Sequence, residues 1–445
     1  VYKRQGKYNK LNDVVNYIVQ EYVDSVNKED ITEEGINGIL KNLDPHSQYI
    51  PAEAFMEVNE SLLGKFEGIG IQFRIVEDTI TVIQPIPGGP SERVGLLAGD
   101  RIVTVNDSLI AGVGITNQGA TSQLKGKRGS EVDVGVYRRG IKGLLDFTIT
   151  RDVIPTYSVD IAFMPADDIG YIKVSKFSAT TLTEFVDAAD ELLEQGMKEL
   201  IVDLRGNTGG YLTLATDMAD EFLEKGKLIV FTEGKNQPRE SYYATSKGRL
   251  EDTPVVVLID DASASASEVF AGAIQDNDRG TIVGRRSFGK ALVQRDLDLL
   301  DGSALRLTIA RYYTPTGRCI QKPYDPDQGF DDYYNESYHR YFNGEMKNKD
   351  SILVADSLKY ITEGGKVVYG GGGIIPDIYV PLTDYPELAY YNSLIRQGMI
   401  FRYAFEYTDA HRNELNRFED FEDFNKHFNV APVLFEELLD FAASH

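Results

Sequence analysis

At 445 residues the chain exceeds one ordinary domain, and its 42% hydrophobic and 11% aromatic residues suffice for sizeable cores. The 46 basic and 69 acidic residues give a net charge of −23, which argues against a nucleic-acid-binding protein because binding phosphates requires a basic face. The single cysteine, Cys319, excludes an internal disulfide framework, and no apolar run reaches membrane-spanning length. The sequence starts at Val1 without a signal-like region, so we expect its natural start, with any targeting segment, to lie upstream.

The first predicted domain, residues 1–64, is helical. Apolar residues recur at helical spacing between Leu11 and Tyr22, and a second helix is predicted over 31–43, ending at Asp44-Pro45. His46 follows in a proline-flanked turn more than two hundred residues from the serine cluster described below. A structural or capping role is therefore favoured for His46 over a catalytic one.

The second predicted domain, residues 65–152, consists of short β runs at 69–75, 80–84, 101–105, 131–137 and 145–151. The motif Gly68-Ile69-Gly70-Ile71 opens the first run, and LAGDRI precedes the third; together they resemble a PDZ domain. The glycines would let backbone N–H groups converge on a terminal carboxylate while the peptide adds as a strand. The alternative is a small β-barrel without a ligand, in which the glycines serve only a turn or bulge.

From Asp152 strands and helices alternate, which predicts a mainly parallel sheet with helices on its faces over residues 153–385. Sites in such sheets lie at the carboxyl ends of strands. Two loops follow strands in this way, at residues 205–210 and 261–267.

The first loop, DLRGNTGG over residues 203–210, admits three interpretations. It could cradle a phosphate, although it lacks the GxxxxGK[ST] lysine and the GxGxxG spacing. It could be a tight turn, or it could offer a backbone N–H group to an oxyanion. The third interpretation is favoured only because a serine cluster follows the next strand.

In the second loop Ser263, Ser265 and Ser267 alternate with alanines ahead of a predicted helix, whose N-terminus favours negative charge. A catalytic serine needs a base, but every histidine lies outside residues 152–313 (His46, His339, His411, His427 and His445). Lys290 is the remaining candidate because burial disfavours its charged form, and Gln294 lies on the same face of an extended segment. The alternative is that the serines cap the helix and Lys290 is a surface charge.

The motifs DLRGNTGG, SASASEVFAGA and FGKALVQ, in this order, resemble the carboxy-terminal processing peptidases, also called tail-specific proteases. The resemblance covers about residues 43–380 and includes LDPHSQY and GGGGIIPDIYV. It implies a serine endopeptidase with a Ser–Lys dyad on an α/β core of the crotonase or Clp-protease type. An inserted PDZ domain and helical N- and C-terminal segments complete the implied fold.

Carried over to the matching positions, the resemblance implies Ser265 as nucleophile, Lys290 as base and Gln294 as the residue that orients the lysine. The implied oxyanion donors are the backbone N–H of Ala266 and that of Gly209 or Gly210. The implied peptide-binding residues of the PDZ domain are Gly68, Ile69, Gly70 and Ile71. Ala291 stands where the family often has glycine, and we expect its methyl group to narrow the cleft without abolishing activity.

The resemblance implies protein or peptide substrates with free C-termini, cleaved near or from that end, no cofactor or metal, and a periplasmic or cell-envelope location. Two alternative functions are a PDZ-bearing scaffold with an inactive peptidase domain and a crotonase-type acyl-CoA enzyme. Loss of a dyad member would signal the scaffold, and none is lost; the PDZ insert and Lys290 argue against the acyl-CoA enzyme.

The last part of the chain is less informative. Residues 324–343 are rich in Asp, Tyr and Asn and are predicted to form a surface excursion. Apolar periodicity from Leu388 onward predicts three helices in a C-terminal segment, residues 386–445. With the N-terminal helix, these would form either a homodimer surface, as in some relatives, or a helical cap on the same chain.

Overall fold

The computed structural model describes residues 9–327, 329–383 and 388–444. Of the predicted terminal segments, residues 1–8, 386–387 and 445 lie outside the described residues. The chain divides into two compact units, Val1–Gly64 with Thr156–Leu382 and Lys65–Pro155 with Thr383–His445.

The helices of the described residues are α1 (Lys10–Glu21), α2 (Lys28–Leu40), α3 (Ala52–Leu63), α4 (Pro90–Arg93), α5 (Asn117–Leu124), α6 (Thr181–Glu194), α7 (Leu212–Asp220), α8 (Ala266–Asp276), α9 (Asp331–Tyr334), α10 (Glu336–Phe342), α11 (Ala389–Arg396), α12 (Met399–Ala410), α13 (Arg412–Leu415), α14 (Phe421–His427) and α15 (Pro432–Ser444). The strands are β1 (Gln48–Ile50), β2 (Lys65–Gly68), β3 (Ile71–Val76), β4 (Thr79–Pro85), β5 (Arg101–Val105), β6 (Ser108–Leu109), β7 (Glu131–Tyr137), β8 (Leu145–Thr150), β9 (Asp152–Pro155), β10 (Val159–Ala166), β11 (Ile169–Val174), β12 (Glu199–Asp203), β13 (Leu228–Gly234), β14 (Gln237–Tyr243), β15 (Val255–Ile259), β16 (Thr281–Gly284), β17 (Leu292–Asp298), β18 (Ala304–Tyr313), β19 (Lys359–Ile361), β20 (Val367–Tyr369) and β21 (Ile378–Tyr379).

A six-stranded sheet in the order β10-β11-β12-β15-β16-β21 forms the centre of the first unit. β10 and β11 are antiparallel, and the four other pairs are parallel, which confirms the predicted mainly parallel sheet. The apolar side chains of β15 and the wholly buried helix α8 belong to one hydrophobic core, as a sheet covered on its faces requires. β12 and β15 are adjacent and parallel, so the glycine loop and the serine cluster leave the sheet at the same edge.

A second, antiparallel sheet in the first unit has the order β1-β18-β13-β14, with β17 also paired to β18. β17 carries Gln294, so the segment predicted to be extended is a strand. β1 comes from the N-terminal segment and pairs with the start of β18. The turn that precedes β1 thereby lies beside β17 and β18.

The described part of residues 324–343 lies mainly at the surface, as predicted, but its helices also carry two buried side chains that the prediction missed. Tyr333 and Arg340 are only 4% and 2% exposed. The Arg340 guanidinium donates to the backbone carbonyls of Arg286, Ser287 and Phe288, just before Lys290 in sequence. These polar and aromatic residues are therefore used in packing, which their composition alone did not indicate.

The second unit contains an antiparallel sheet in the order β3-β4-β5-β7-β8. The strand predicted at 69–75 is present as β3, but it begins two residues later than predicted, because Gly70, at φ 73°, lies in the turn between β2 and β3. α12 packs on the same unit, where the Arg74 guanidinium lies 4.1 Å from the centroid of the Phe401 ring and Arg101 pairs with Asp409 at 3.3 Å. The C-terminal segment has five helices in its described part instead of three, and they pack at least partly on their own chain.

No helix in the described part of the chain combines the length and apolar character needed to cross a bilayer.

Candidate active site

The three serines of the cluster have different environments although they alternate in sequence. The Oγ atoms of Ser263 and Ser267 donate to the backbone carbonyls of Leu204 and Asn207, at 2.8 and 2.9 Å, and both serines are fully buried. Ser265 instead lines a cavity of about 450 Å³. Its φ of 55° lies in the left-handed region, which strains a residue with a side chain. Among the three, the middle serine is the one open to a substrate.

The glycine loop lies directly against the start of α8. A methyl group on Gly209 would lie 2.8 Å from Ser265 Cβ, and one on Gly210 would lie 2.0 Å from the Phe177 carbonyl oxygen, so neither position accepts a side chain. The Gly209 N–H donates to Asn207 Oδ1 at 2.9 Å. Within the described residues, no hydrogen bond uses the N–H groups of Gly210 or Ala266. Two uncommitted donors therefore flank Ser265.

Lys290 precedes β17 and lines the same cavity as Ser265. Burial, and secondarily the charge of Arg306, lowers the pKa of Lys290 from 10.5 to about 8, against the opposing effects of Glu268 and Asp44. A lysine with this pKa supplies a neutral amine near physiological pH, as a general base must. Within the described residues no hydrogen bond joins Ser265 Oγ and Lys290 Nζ. Such bonds commonly tighten only when substrate is bound.

A buried carboxylate connects the serine and lysine loops. Glu268 Oε2 accepts the backbone N–H groups of Ser265 and Lys290, at 2.8 and 2.9 Å. Its Oε1 accepts from Ser287 Oγ and the Gly289 N–H, at 2.5 and 2.6 Å. Burial raises the pKa of Glu268, and the four donors act in the opposite direction. Sequence reasoning missed this residue, although Ser265 and Glu268 have the S-x-x-E spacing of a capping box.

The Gln294 amide lies between Lys290 and the turn before β1. Lys290 Nζ donates to Gln294 Oε1 at 2.9 Å, and Gln294 Nε2 donates to the His46 carbonyl oxygen at 2.6 Å. The structure thus brings Ser265, Lys290, Gln294 and the glycine loop together. It also brings the backbone of His46 to the site, which its distance in sequence did not indicate.

The cavity has apolar walls close to Ser265. They come from α3 and from the helices and strands around the serine, with the apolar residues Val58, Leu62, Leu212, Val269 and Leu292. Ala291 is fully buried and is not among these lining residues, so the expectation that its methyl group narrows the cleft is wrong. The same cavity is also lined by charged residues, among them Lys176, Asp296 and Arg306.

Three parts of the chain match known families: residues 168–329 match Peptidase family S41, residues 68–149 match the PDZ domain, and residues 390–445 match a family of unknown function, DUF8443. The carboxy-terminal processing protease CtpA of Bacillus subtilis (strain 168) is 35% identical over 318 residues, which are 71% of this chain and 67% of the relative. The carboxy-terminal-processing protease of Bartonella bacilliformis (strain ATCC 35685 / KC583 / Herrer 020/F12,63) is 37% identical over 325 residues, 71% of this chain and 74% of the relative. A solved photosystem II D1 C-terminal processing protease covers 83% of this chain and 86% of its own, at 25% identity and a TM-score of 0.40.

This chain belongs to the carboxy-terminal processing proteases of peptidase family S41. The predicted family, the serine-peptidase class and the α/β core with a PDZ domain and helical terminal segments are confirmed. The DUF8443 match covers most of the C-terminal helical segment, which belongs to the second unit.

In the PDZ domain of this carboxy-terminal processing protease, Gly68 ends β2, Ile71 begins β3, and Ile69 and Gly70 form the turn between them. A methyl group on Gly70 would lie 2.8 Å from Ile154 Cδ1, and Gly70 has a positive φ, so this turn requires glycine. β3 is the end strand of the sheet path, with β4 as its paired neighbour. Ile69, Ala120 and Leu124 belong to the hydrophobic core of this sheet, and the partly buried Ile71 packs against it. Strand-adding peptides pair with a strand at the end of a sheet.

Proposed function

We propose that the protein is a serine endopeptidase that cleaves protein substrates near or from their C-terminus with a Ser265–Lys290 dyad. The observation that carries the proposal is that both residues line one cavity while their loops share the buried carboxylate of Glu268. His46 reaches the site with its backbone while its ring nitrogen Nε2 is paired with the Tyr333 hydroxyl, so Lys290, which lines the cavity with Ser265, is the proposed base.

In this mechanism the neutral Lys290 amine takes the proton from Ser265 Oγ, which attacks the substrate carbonyl. The oxyanion accepts hydrogen bonds from the N–H groups of Ala266 and Gly210, which are free of other partners within the described residues. Gly210 is preferred over Gly209 because the Gly209 N–H is bound to Asn207. Lys290 then protonates the leaving amine, and water hydrolyses the acyl-enzyme by the same route.

The PDZ domain is proposed to hold the substrate C-terminus at Gly68–Ile71, with Ile69 and Ile71 contacting its last side chain. Binding there supplies energy remote from the scissile bond for positioning. A periplasmic or cell-envelope location and a homodimer are further proposals. Leu11, Val14 and Tyr17 of α1, which are 62%, 49% and 68% exposed, support the homodimer.

The decisive experiment is a gel assay on an unstructured protein with an apolar C-terminus. Ser265→Ala and Lys290→Ala are each expected to abolish cleavage while circular dichroism shows that the fold is retained. Ser263→Ala is the matched control, because that neighbouring serine does not line the cavity, and it should retain cleavage. Wild-type rates in either dyad variant would refute the mechanism. Blocking the C-terminal carboxylate of the substrate tests the PDZ role and should slow cleavage.

A further inference from the structure

The orientation of the Gln294 amide depends on the His46 backbone. A carbonyl oxygen can only accept, so the amide NH₂ must face His46 and the amide oxygen must face Lys290. Without the His46 carbonyl, a half-turn of the amide would direct a donor at the lysine, which also donates. The turn that positions this carbonyl therefore determines whether Lys290 has an acceptor.

Asp44 organises that turn, Asp44–Ser47. Its carboxylate is buried and accepts four hydrogen bonds: from the His46 N–H at 2.8 Å, the Ser47 N–H at 2.9 Å, Ser47 Oγ at 2.6 Å and Thr308 Oγ1 at 3.0 Å. The Thr308 N–H also donates to Ser47 Oγ, at 3.1 Å. Thr308 is the cross-strand partner of Gln294 in the β17–β18 pair. Asp44 thus connects the turn to the strand beside the one that carries Gln294.

The other side of the turn packs on α9. His46 Nε2 and the Tyr333 hydroxyl are 2.7 Å apart, and the Tyr334 hydroxyl donates to the Pro45 carbonyl. Burial, followed by the charge of Lys290, lowers the pKa of His46 to about 4, so its ring is neutral near pH 7. The turn is held from two directions, and its only carboxylate is Asp44.

We propose that Asp44 is a positioning residue for the catalytic base: it fixes the turn whose His46 carbonyl sets the Gln294 amide, which in turn holds Lys290 Nζ. The inference rests on the proposed Ser265–Lys290 mechanism and extends it to the LDPHSQY motif, for which that mechanism has no use. Asp44 acts on Gln294 through the turn and through Thr308 and does not line the cavity, so its removal displaces the amine without changing the cavity walls. Displacements of about 1 Å in a reacting group cost on the order of 100-fold in rate.

The test compares Asp44→Ala with Asp44→Asn by steady-state kinetics on a fluorogenic peptide. Asp44→Ala removes all four hydrogen bonds, and kcat should fall by about 10- to 100-fold with KM changed less than about threefold. Asp44→Asn keeps an oxygen for the His46 and Ser47 N–H groups and should restore kcat to within about fivefold of wild type. The matched control is Asp301→Ala, which removes a carboxylate bonded to the N–H and Oγ of Ser303 at the β17–β18 turn. Its kcat should equal that of the wild type.

Thr308→Val gives a second, milder variant if Asp44→Ala does not fold, and it should lower kcat by about two- to fivefold with unchanged KM. A folded Asp44→Ala protein with wild-type kcat, a loss confined to KM, or an Asp44→Asn protein as impaired as Asp44→Ala would each overturn the inference. Lys290→Ala is assayed in parallel. If it retains activity, the proposed mechanism fails; if it is inactive while Asp44→Ala is fully active, only the role of Asp44 fails.

Discussion

Ser265 and Lys290, twenty-five positions apart in sequence, donate their backbone N–H groups to one oxygen, Oε2 of Glu268. Their carbonyl oxygens also share a donor, the Tyr312 hydroxyl, at 3.3 and 2.9 Å. Glu268 and Tyr312 are 1% and 2% exposed, so both connections lie in the core. The backbones of the two proposed catalytic residues are therefore fixed to each other whatever their side chains do.

Replacing Glu268 with alanine should abolish peptidase activity and lower the free energy of unfolding by about 2–4 kcal/mol. The reason is that three buried N–H groups and the Ser287 hydroxyl lose their acceptor. This loss costs more free energy than is regained by no longer burying a carboxylate. Urea denaturation and the peptide assay measure the two effects. Glu268→Gln keeps one acceptor oxygen and should be less destabilised. Equal stability of the alanine variant and the wild type would contradict the role given to Glu268.

Lys290 should destabilise the fold near neutral pH. The unfolded chain keeps the ammonium proton up to about pH 10.5, whereas the folded protein keeps it only up to about pH 8. The free-energy cost of burying the charged lysine is therefore complete below pH 8 and decreases as the pH rises from 8 to 10.5. It amounts to about 3 kcal/mol at pH 7. Lys290→Met should therefore be the more stable protein at pH 7 although inactive.

The stability gain of Lys290→Met over the wild type should decrease by about 1 kcal/mol between pH 7 and pH 9. Urea denaturation at both pH values measures it. Lys198→Met, at an exposed position, is the matched control, and its difference from wild type should not depend on pH. A Lys290→Met advantage that grows with pH would show that burial does not lower the pKa of Lys290.

The architecture was predictable because its signals are local. β15 and β12 have the predicted bounds, because each has an uninterrupted run of apolar residues, Val255–Ile259 in β15 and Leu200–Val202 in β12, as strands of a covered parallel sheet do. The glycines of the loop after β12 also indicated that its backbone could lie close to the serine cluster and offer an N–H group there. By contrast, the choice of Ser265 among three serines rested on resemblance, and in the structure it depends on where Ser263 and Ser267 find carbonyl acceptors.

The residues that sequence reasoning missed act through tertiary contacts. His46 contributes a backbone oxygen, which no side-chain pattern reveals, and Arg340 supports the loop before Lys290 from a segment of polar composition. Both contacts join residues that are far apart in sequence, so the periodicity of a helix or strand does not predict them. Glu268 was detectable, because its distance from Ser265 is that of a capping box.

Gly210 should be more sensitive to substitution than its neighbour Gly206. A methyl group on Gly210 would overlap the Phe177 carbonyl oxygen and displace the N–H proposed for the oxyanion, so kcat of Gly210→Ala should fall by about 100-fold or more. Gly206 also has a positive φ, but its methyl group would meet nothing within 4 Å. Gly206→Ala should therefore lose about 1 kcal/mol of stability and keep its activity. Wild-type kcat in folded Gly210→Ala would exclude Gly210 as the donor.

Asp409 should hold the C-terminal helices against the PDZ sheet within the second unit. Its side chain is 1% exposed and pairs with Arg412 at 3.0 Å, Arg101 at 3.3 Å and Arg139 at 3.8 Å. Asp409→Ala leaves three guanidinium groups without this anion, and the partly exposed arginines recover some hydration. The free energy of unfolding should therefore fall by about 1–3 kcal/mol, below the value for a fully buried pair.

The measurement is limited trypsin digestion of the full chain, followed by mass spectrometry. Asp409→Ala should be cleaved within α12 and α13 several-fold faster than the wild type, because local opening exposes Arg402 and Arg412. Asp423→Asn neutralises a partly exposed acid of α14 that pairs with His427 and accepts the Glu419 N–H, and its digestion rate should match the wild type. If Asp409→Ala resisted trypsin as well as this control, other contacts of α12, such as the cation–π contact of Arg74 with Phe401, would have to hold the helices without Asp409.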